Sequence, residues 1–118
     1  MKATSSLLSA ITGEHFFAVD MRVGVIVDVR DFPEARKPAF QIWADFGPAI
    51  GIRKTSAQVT VWHTPEALRG RRIVGWVNAP PKQIGPFVSE FLLLGAADTD
   101  GAIRLLDIDG VPAGARIC

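Results

Sequence analysis

One cysteine among 118 residues excludes an internal disulfide framework. That residue, Cys118, stands at the end of the sequence and reads as an exposed thiol without a redox role. Long apolar runs are missing too. The longest, Phe91–Ala97, falls far short of the roughly 20 residues that span a bilayer, so no membrane insertion is expected. The apolar patch Leu7, Leu8, Ala10, Ile11 behind Lys2 is interrupted by Ser9, preceded by Thr4, Ser5 and Ser6, and followed at once by Gly13-Glu14-His15. That pattern argues against a cleaved signal peptide, and a cytoplasmic location is the simplest expectation. Histidine is scarce. His15 and His63 sit in no spacing that ligates a metal, so no metal site is expected. The G-x-S-x-G elbow and the glycine-rich phosphate and dinucleotide loops are absent, and Ser56 and Ser89 have no recognisable base partner. No catalytic residue and no cofactor is therefore assigned, and the chain is read as a non-enzyme. Net charge is nearly absent as well, at +1. It offers no overall case for nucleic-acid binding, but says nothing about local distribution.

What is present describes a folded domain. Hydrophobic residues make up 48% and charged residues 21%, too apolar for a disordered chain. The length fits one domain over 14–118, preceded by a tail or short helix over 1–13. In that tail Leu7, Leu8 and Ile11 lie at helical spacing, on a piece too short to be stable alone. Val23, Val25, Val27 and Val29 alternate and predict one apolar strand face. Phe40, Ile42, Ala44 and Phe46 predict a second, with Gln41, Trp43 and Asp45 on the opposite side. Ile50–Arg53 predicts a third strand, resuming at Gln58–Trp62, with Thr55-Ser56-Ala57 as a bend between. Thr64-Pro65-Glu66-Ala67-Leu68 reads as one helical turn, capped by Thr64, opened by Pro65 and ended by Gly70. Strands then follow at Ile73–Val77, Phe87–Ala97 and Ile103–Ile108, with a turn at Asp98–Gly101. Five or more short strands, with one helix between the third and fourth, predict an all-β fold. The expected architecture is a five-stranded barrel of the OB type with extra C-terminal strands, and an SH3-like barrel or a small sandwich is the competing one.

Charge is unevenly spread. Between Arg22 and Lys82 stand ten basic and five acidic residues, while Gln83 to Cys118 holds two basic and five acidic. The central stretch is a candidate surface for phosphates; the competing reading is solvated edges and loops. Phe32, Phe40, Trp43, Phe46, Trp62 and Trp76 interleave with it, and OB barrels bind single strands by stacking rings in basic grooves. Phe40 and Phe46 belong to the inferred core, whereas Trp43 points the other way.

Three stretches carry a resemblance: Val19–Ile26; Asp31–Phe40 continuing to Asp45–Pro48 and Ser56–Thr60; and Val77–Glu90, with its Asn-x-Pro-Pro-Lys-Gln-Ile-Gly-Pro-Phe run. Together they resemble the CsaA family of export-related chaperones, within the wider tRNA-binding-domain group of OB folds attached to methionyl-tRNA synthetases. The likeness runs from about Phe16 to Ile117. It implies a homodimer whose terminal segments help build the interface. It also implies binding of unfolded preproteins or peptides, and contact with the export machinery. Phe87 and Val88, beside the rigid Pro80-Pro81 and Gly85-Pro86 elements, are the candidate peptide contacts, with Pro86 and Trp43. The tRNA-binding relatives imply a second ligand. On their pattern the RNA-binding candidates are Arg36, Lys37, Ser56, Asn78, Lys82 and Ser89. Ala57-Gln58 and Pro80-Pro81 depart from that pattern and favour the chaperone branch.

Overall fold

The computed structural model describes residues 6–118; Lys2, Thr4 and Ser5 of the N-terminal reading lie outside the described residues. Residues 6–12 carry no regular secondary structure, and the short helix stands further along, as α1, Gly13–Phe17. The apolar triad Leu7, Leu8 and Ile11 therefore precedes the helix rather than forming its face.

Strand β1, Met21–Asp31, is the spine of the molecule. Its first half pairs antiparallel with β4, Arg72–Trp76, and its second half with β2, Phe40–Asp45. Strand β3, Ile52–Ala57, continues from β2, and β7, Leu92–Leu93, continues from β4, giving the order β3-β2-β1-β4-β7. The expected OB-type barrel is what forms, nearly closed and five-stranded.

Main-chain and side-chain bonds tie β3 to the segment that leads into β7. The Lys54 carbonyl accepts from the Glu90 N–H at 2.8 Å, and the Lys54 N–H donates to Glu90 Oε1 at 3.1 Å. Buried Thr55 donates from Oγ1 to the Phe91 carbonyl at 2.7 Å, and its hydroxyl meets that of buried Ser89 at 2.7 Å. A β5–β6 hairpin, Lys82–Ile84 with Phe87–Ser89, leans on this seam. A second hairpin, β8 (Gly95–Ala97) with β9 (Ile103–Leu105), follows it. Asp98 shapes the second turn by accepting the Asp100 and Ala102 N–H groups, both at 2.9 Å.

Several expectations meet their residues directly. Phe40, Ile42, Ala44 and Phe46 are all buried. The helical turn is α2, Pro65–Leu68; Thr64 Oγ1 accepts the Ala67 N–H, and Gly70 follows with φ +82°. Leu68 is fully buried and joins the core that holds Ile26 and Ile73.

Three expectations are corrected. The valines of β1 do not share one buried face. A β-bulge between Ile26 and Asp28 inserts an extra residue, leaving Val27 47% exposed and turning Gly24, Ile26 and Val29 inward. Val23 is buried on the other side, under a C-terminal strap in which Gly114 and Ala115 bond its carbonyl and N–H. The third strand runs unbroken through Thr55-Ser56-Ala57 and stops there, so these residues form its end rather than a bend. Phe87–Ala97 is three short strands, because Glu90 and Leu94 turn their N–H groups to Lys54 and Val74.

His63 pins the β9 flank. Its Nε2 accepts the Leu105 N–H at 3.1 Å, and its Nδ1 lies 3.4 Å from Arg71. An accepting Nε2 requires the neutral ring. Burial, then the positive charges of Arg71 and Arg104, hold its pKa below the usual 6.5, against a smaller opposing pull from Asp107. The unfolded chain thus takes up the proton first as pH falls, so stability is full above about 6.5 and declines below it. We expect the urea midpoint to drop between about pH 7.5 and 5.5, and His63→Gln to flatten that slope. A wild-type slope unchanged by His63→Gln would remove His63 as its source.

Candidate nucleic-acid and peptide groove

The loop between β1 and β2 is pinched at its base. Phe32 donates to the Ala39 carbonyl at 3.2 Å, and both residues are buried against Phe87. The tip between Pro33 and Pro38 is thereby held out, presenting Arg36 and Lys37. Opposite it stands Lys82, at the start of β5 and paired with Ser89, which Thr55 ties to the barrel. Between loop, hairpin and the end of β3 lies an open groove of ≈ 1160 Å³. Its floor is apolar, with Ala57, Val59, Leu93 and Ile103; its rim is Arg36, Lys37, Ser56 and Lys82, and Glu34 is its one acid among the described residues.

Sequence candidates that lie far apart in the chain meet here. Arg36, Lys37, Ser56, Lys82 and Ser89 all line the groove. Ser89 does so from beneath, its hydroxyl already engaged with Thr55. Asn78 stands elsewhere. Its Oδ1 accepts from the Asp20 N–H (2.8 Å) and Trp76 Nε1 (2.6 Å), and its Nδ2 donates to the Ala18 carbonyl (2.9 Å). Those bonds latch the helix–strand junction onto β4. Beside it Arg22 meets Asp20 at 2.6 Å, and that hydrogen bond holds the Asp20 carboxyl below the usual range.

Of the peptide candidates, Phe87 is buried, with its ring 5.4 Å from Phe32 and 5.9 Å from Trp43. Trp43 is half-buried on the outer face of β2, covered by Phe87, with the Arg30 guanidinium over its ring. Pro86 is exposed at the hairpin tip and Val88 is half-buried. These four anchor and shape the hairpin and do not line the groove itself. Lys54, whose ammonium lies 5.0 Å from the Phe87 ring centre, and Gln58 and Gln83 on the groove wall were not singled out by sequence. Reading Thr55-Ser56-Ala57 as a bend concealed that β3 carries the wall.

The central basic stretch divides in two. Arg53, Arg69 and Arg72 donate to the carbonyls of Val77, Val29 and Val111, each at 2.7 Å, and Arg71 pairs with Asp107 at 2.6 Å. These arginines hold the barrel. The side chains of Arg36, Lys37 and Lys82 make no hydrogen bond or ion pair with the described residues. A second surface is apolar: Leu7, Leu8, Ile11, Phe16 and Phe17 are exposed, and nothing in the described chain covers them. Among the described residues, no cluster of His, Cys, Asp and Glu could hold a metal ion, and no helix is long and apolar enough to cross a membrane.

No family model matches the chain. Two solved structures match over nearly its whole length. The chaperone CsaA from Picrophilus torridus is 44% identical with a TM-score of 0.88, covering 92% of this chain and 100% of that one. The chaperone CsaA from Bacillus anthracis is 38% identical with a TM-score of 0.87, covering 93% and 100%. Among curated proteins, the methionine–tRNA ligase of Thermococcus onnurineus is 34% identical over 104 residues, 88% of this chain. The chain spans only 14% of that ligase, and 15% of the ligase of Methanocaldococcus jannaschii.

Proposed function

The chain belongs to the CsaA chaperone family, and from that membership we propose that it binds unfolded or preprotein segments in protein export, as a cytoplasmic homodimer. The observation that carries this reading is the likeness to two chaperones whose whole length the chain covers. The physical features agree with it. A groove with an apolar floor accepts varied side chains, and its polar rim supplies orientation. The exposed Leu7, Leu8, Ile11, Phe16 and Phe17 give a second copy an apolar surface to bury. Phe87 and Trp43 act in this proposal by holding the hairpin that forms one wall, and Pro86 and Val88 by shaping its tip. Binding needs no bond to be made or broken, so the protein works without catalysis, through contact with clients and with the export machinery.

A second reading is favoured by the same groove. Three unpaired cations on one rim, in a chain that resembles part of methionine–tRNA ligases, suit the phosphates of tRNA. Fluorescence titration against an unfolded preprotein and against bulk tRNA, each over a salt series, separates the two. Preprotein binding is expected to persist as salt rises, while tRNA affinity falls steeply. Preprotein binding below detection beside salt-sensitive tRNA binding overturns the chaperone reading. Light scattering behind size exclusion should give twice the chain mass, and a monomer removes the dimer.

A further inference from the structure

We propose that the groove captures its client by strand addition: an extended, acid-bearing peptide segment pairs with the open edge of β3 at Ser56. This rests on the peptide-binding reading above and says how that site recognises its ligand.

Backbone alternation defines the edge. In an antiparallel pair, successive residues turn their N–H and C=O groups to opposite sides. Lys54 sends both groups away from β2, to Glu90. The register between β2 and β3 runs from Asp45↔Ile52 to Phe40↔Ala57 without a bulge, so Ser56 faces the same outward side as Lys54. At Lys54 that side is occupied by Glu90. Two residues further on, the seam has opened into the groove, and Ser56 is on its wall. The Ser56 N–H has no partner among the described residues. Its carbonyl meets only the Thr55 hydroxyl at 3.4 Å, while that hydroxyl donates to Phe91 at 2.7 Å. Across the groove β5 pairs only with β6, so its other side is also free. The groove thus lies between two unfinished strand edges.

Main-chain pairing suits a client of varied sequence, because every residue except proline offers the same two groups. Charge selects within that tolerance. Arg36, Lys37 and Lys82 face the groove without partners, against Glu34 alone, so carboxylates on the client are favoured. Glu90 already shows the chemistry at this edge, since its carboxylate accepts the Lys54 N–H.

The test uses a fluorescein-labelled nine-residue peptide alternating valine or threonine with glutamate. Two further versions carry N-methyl groups on the odd or on the even amides, and a fourth has lysine for each glutamate. An added strand bonds through alternate residues, so one methylation pattern should weaken binding at least tenfold and the other little. The lysine version should also bind at least tenfold more weakly. Ser56→Pro removes the outward N–H without touching the ladder to β2, and should lower affinity for the parent peptide to the level of the sensitive methylated version. The methylated peptides keep the test decisive where that variant misfolds. Equal binding of both methylated forms and the parent overturns strand addition and leaves the chaperone reading standing. Failure of the parent peptide while an unfolded preprotein or tRNA still binds also overturns it. Failure of preprotein and peptide together sinks the proposed function itself.

Discussion

Gly24→Ala destabilises the native barrel by about 1–3 kcal/mol, yet becomes neutral or stabilising once Phe46 is cut back to alanine. The reason is a single contact. A methyl group placed on Gly24 would come within 2.7, 2.9 and 3.0 Å of three atoms of the Phe46 ring, and of no other side chain so closely. That ring is fully buried, and it stands edge-on to Phe91 with ring centres 5.0 Å apart. It has no room to move toward β4 either, because a methyl group placed on Gly75 would come within 2.8 Å of the same ring. Two glycines in neighbouring strands therefore make the seat for one phenylalanine. Phe46→Ala removes the ring and leaves a cavity, at a cost of about 3–5 kcal/mol. In that background the Gly24 methyl enters empty space, and alanine also limits the unfolded chain more than glycine does. Urea unfolding of the four proteins measures the cycle, and the coupling should exceed about 1 kcal/mol in favour of the double variant. Equal costs for Gly24→Ala in both backgrounds would show that something other than the ring excludes a side chain there.

This seat also marks where reading the sequence stops. The alternation Phe40, Ile42, Ala44, Phe46 is period two without interruption, and the structure follows it residue by residue. Thr64 and Pro65 announced α2 through local chemistry, and local chemistry is what builds a cap. The valines of β1 obeyed the same alternation but not the same outcome. A bulge costs one residue of register and falls where the long strand passes from one partner, β4, to the other, β2. Nothing local at Val27 signals it. The run from Phe87 to Ala97 failed differently. Its apolarity is real, but its pieces are recruited by Ile84, Val74 and Leu105, which belong to three different neighbours. Thr55 reads as a turn residue because its hydroxyl favours bends; in the fold it is buried, bonded to Ser89 and Phe91, which lie 34 and 36 residues away. The groove residues were legible through family resemblance. That they share one wall was not, because the fold brings together a loop, a strand end and a hairpin. Asn78 carried the same family signal and stands at the latch instead.

Replacing Arg36, Lys37 and Lys82 together with alanine should lower affinity for bulk tRNA by two orders of magnitude or more at low salt. It should also make the dependence of log affinity on log salt shallower by about two to three. The fold should be unharmed, since none of the three side chains bonds to the described chain. Arg72→Ala is the matched control. It removes one positive charge from the same basic stretch, but that guanidinium is spent on the Val111 carbonyl at 2.7 Å. Its loss should lower stability by about 1–3 kcal/mol and leave the salt slope as it was. Lys82→Ala alone should do the reverse, changing the slope by about one with no change in the urea midpoint. A count of charges along the chain treats Arg72 and Lys82 alike, and the contrast between them is what the fold adds to that count. The same three cations are the ones that would greet a carboxylate-bearing peptide, so tRNA and the acidic peptide should compete for one groove. Bulk tRNA should then displace the labelled peptide from the native protein, and binding of both at once would place them on separate surfaces.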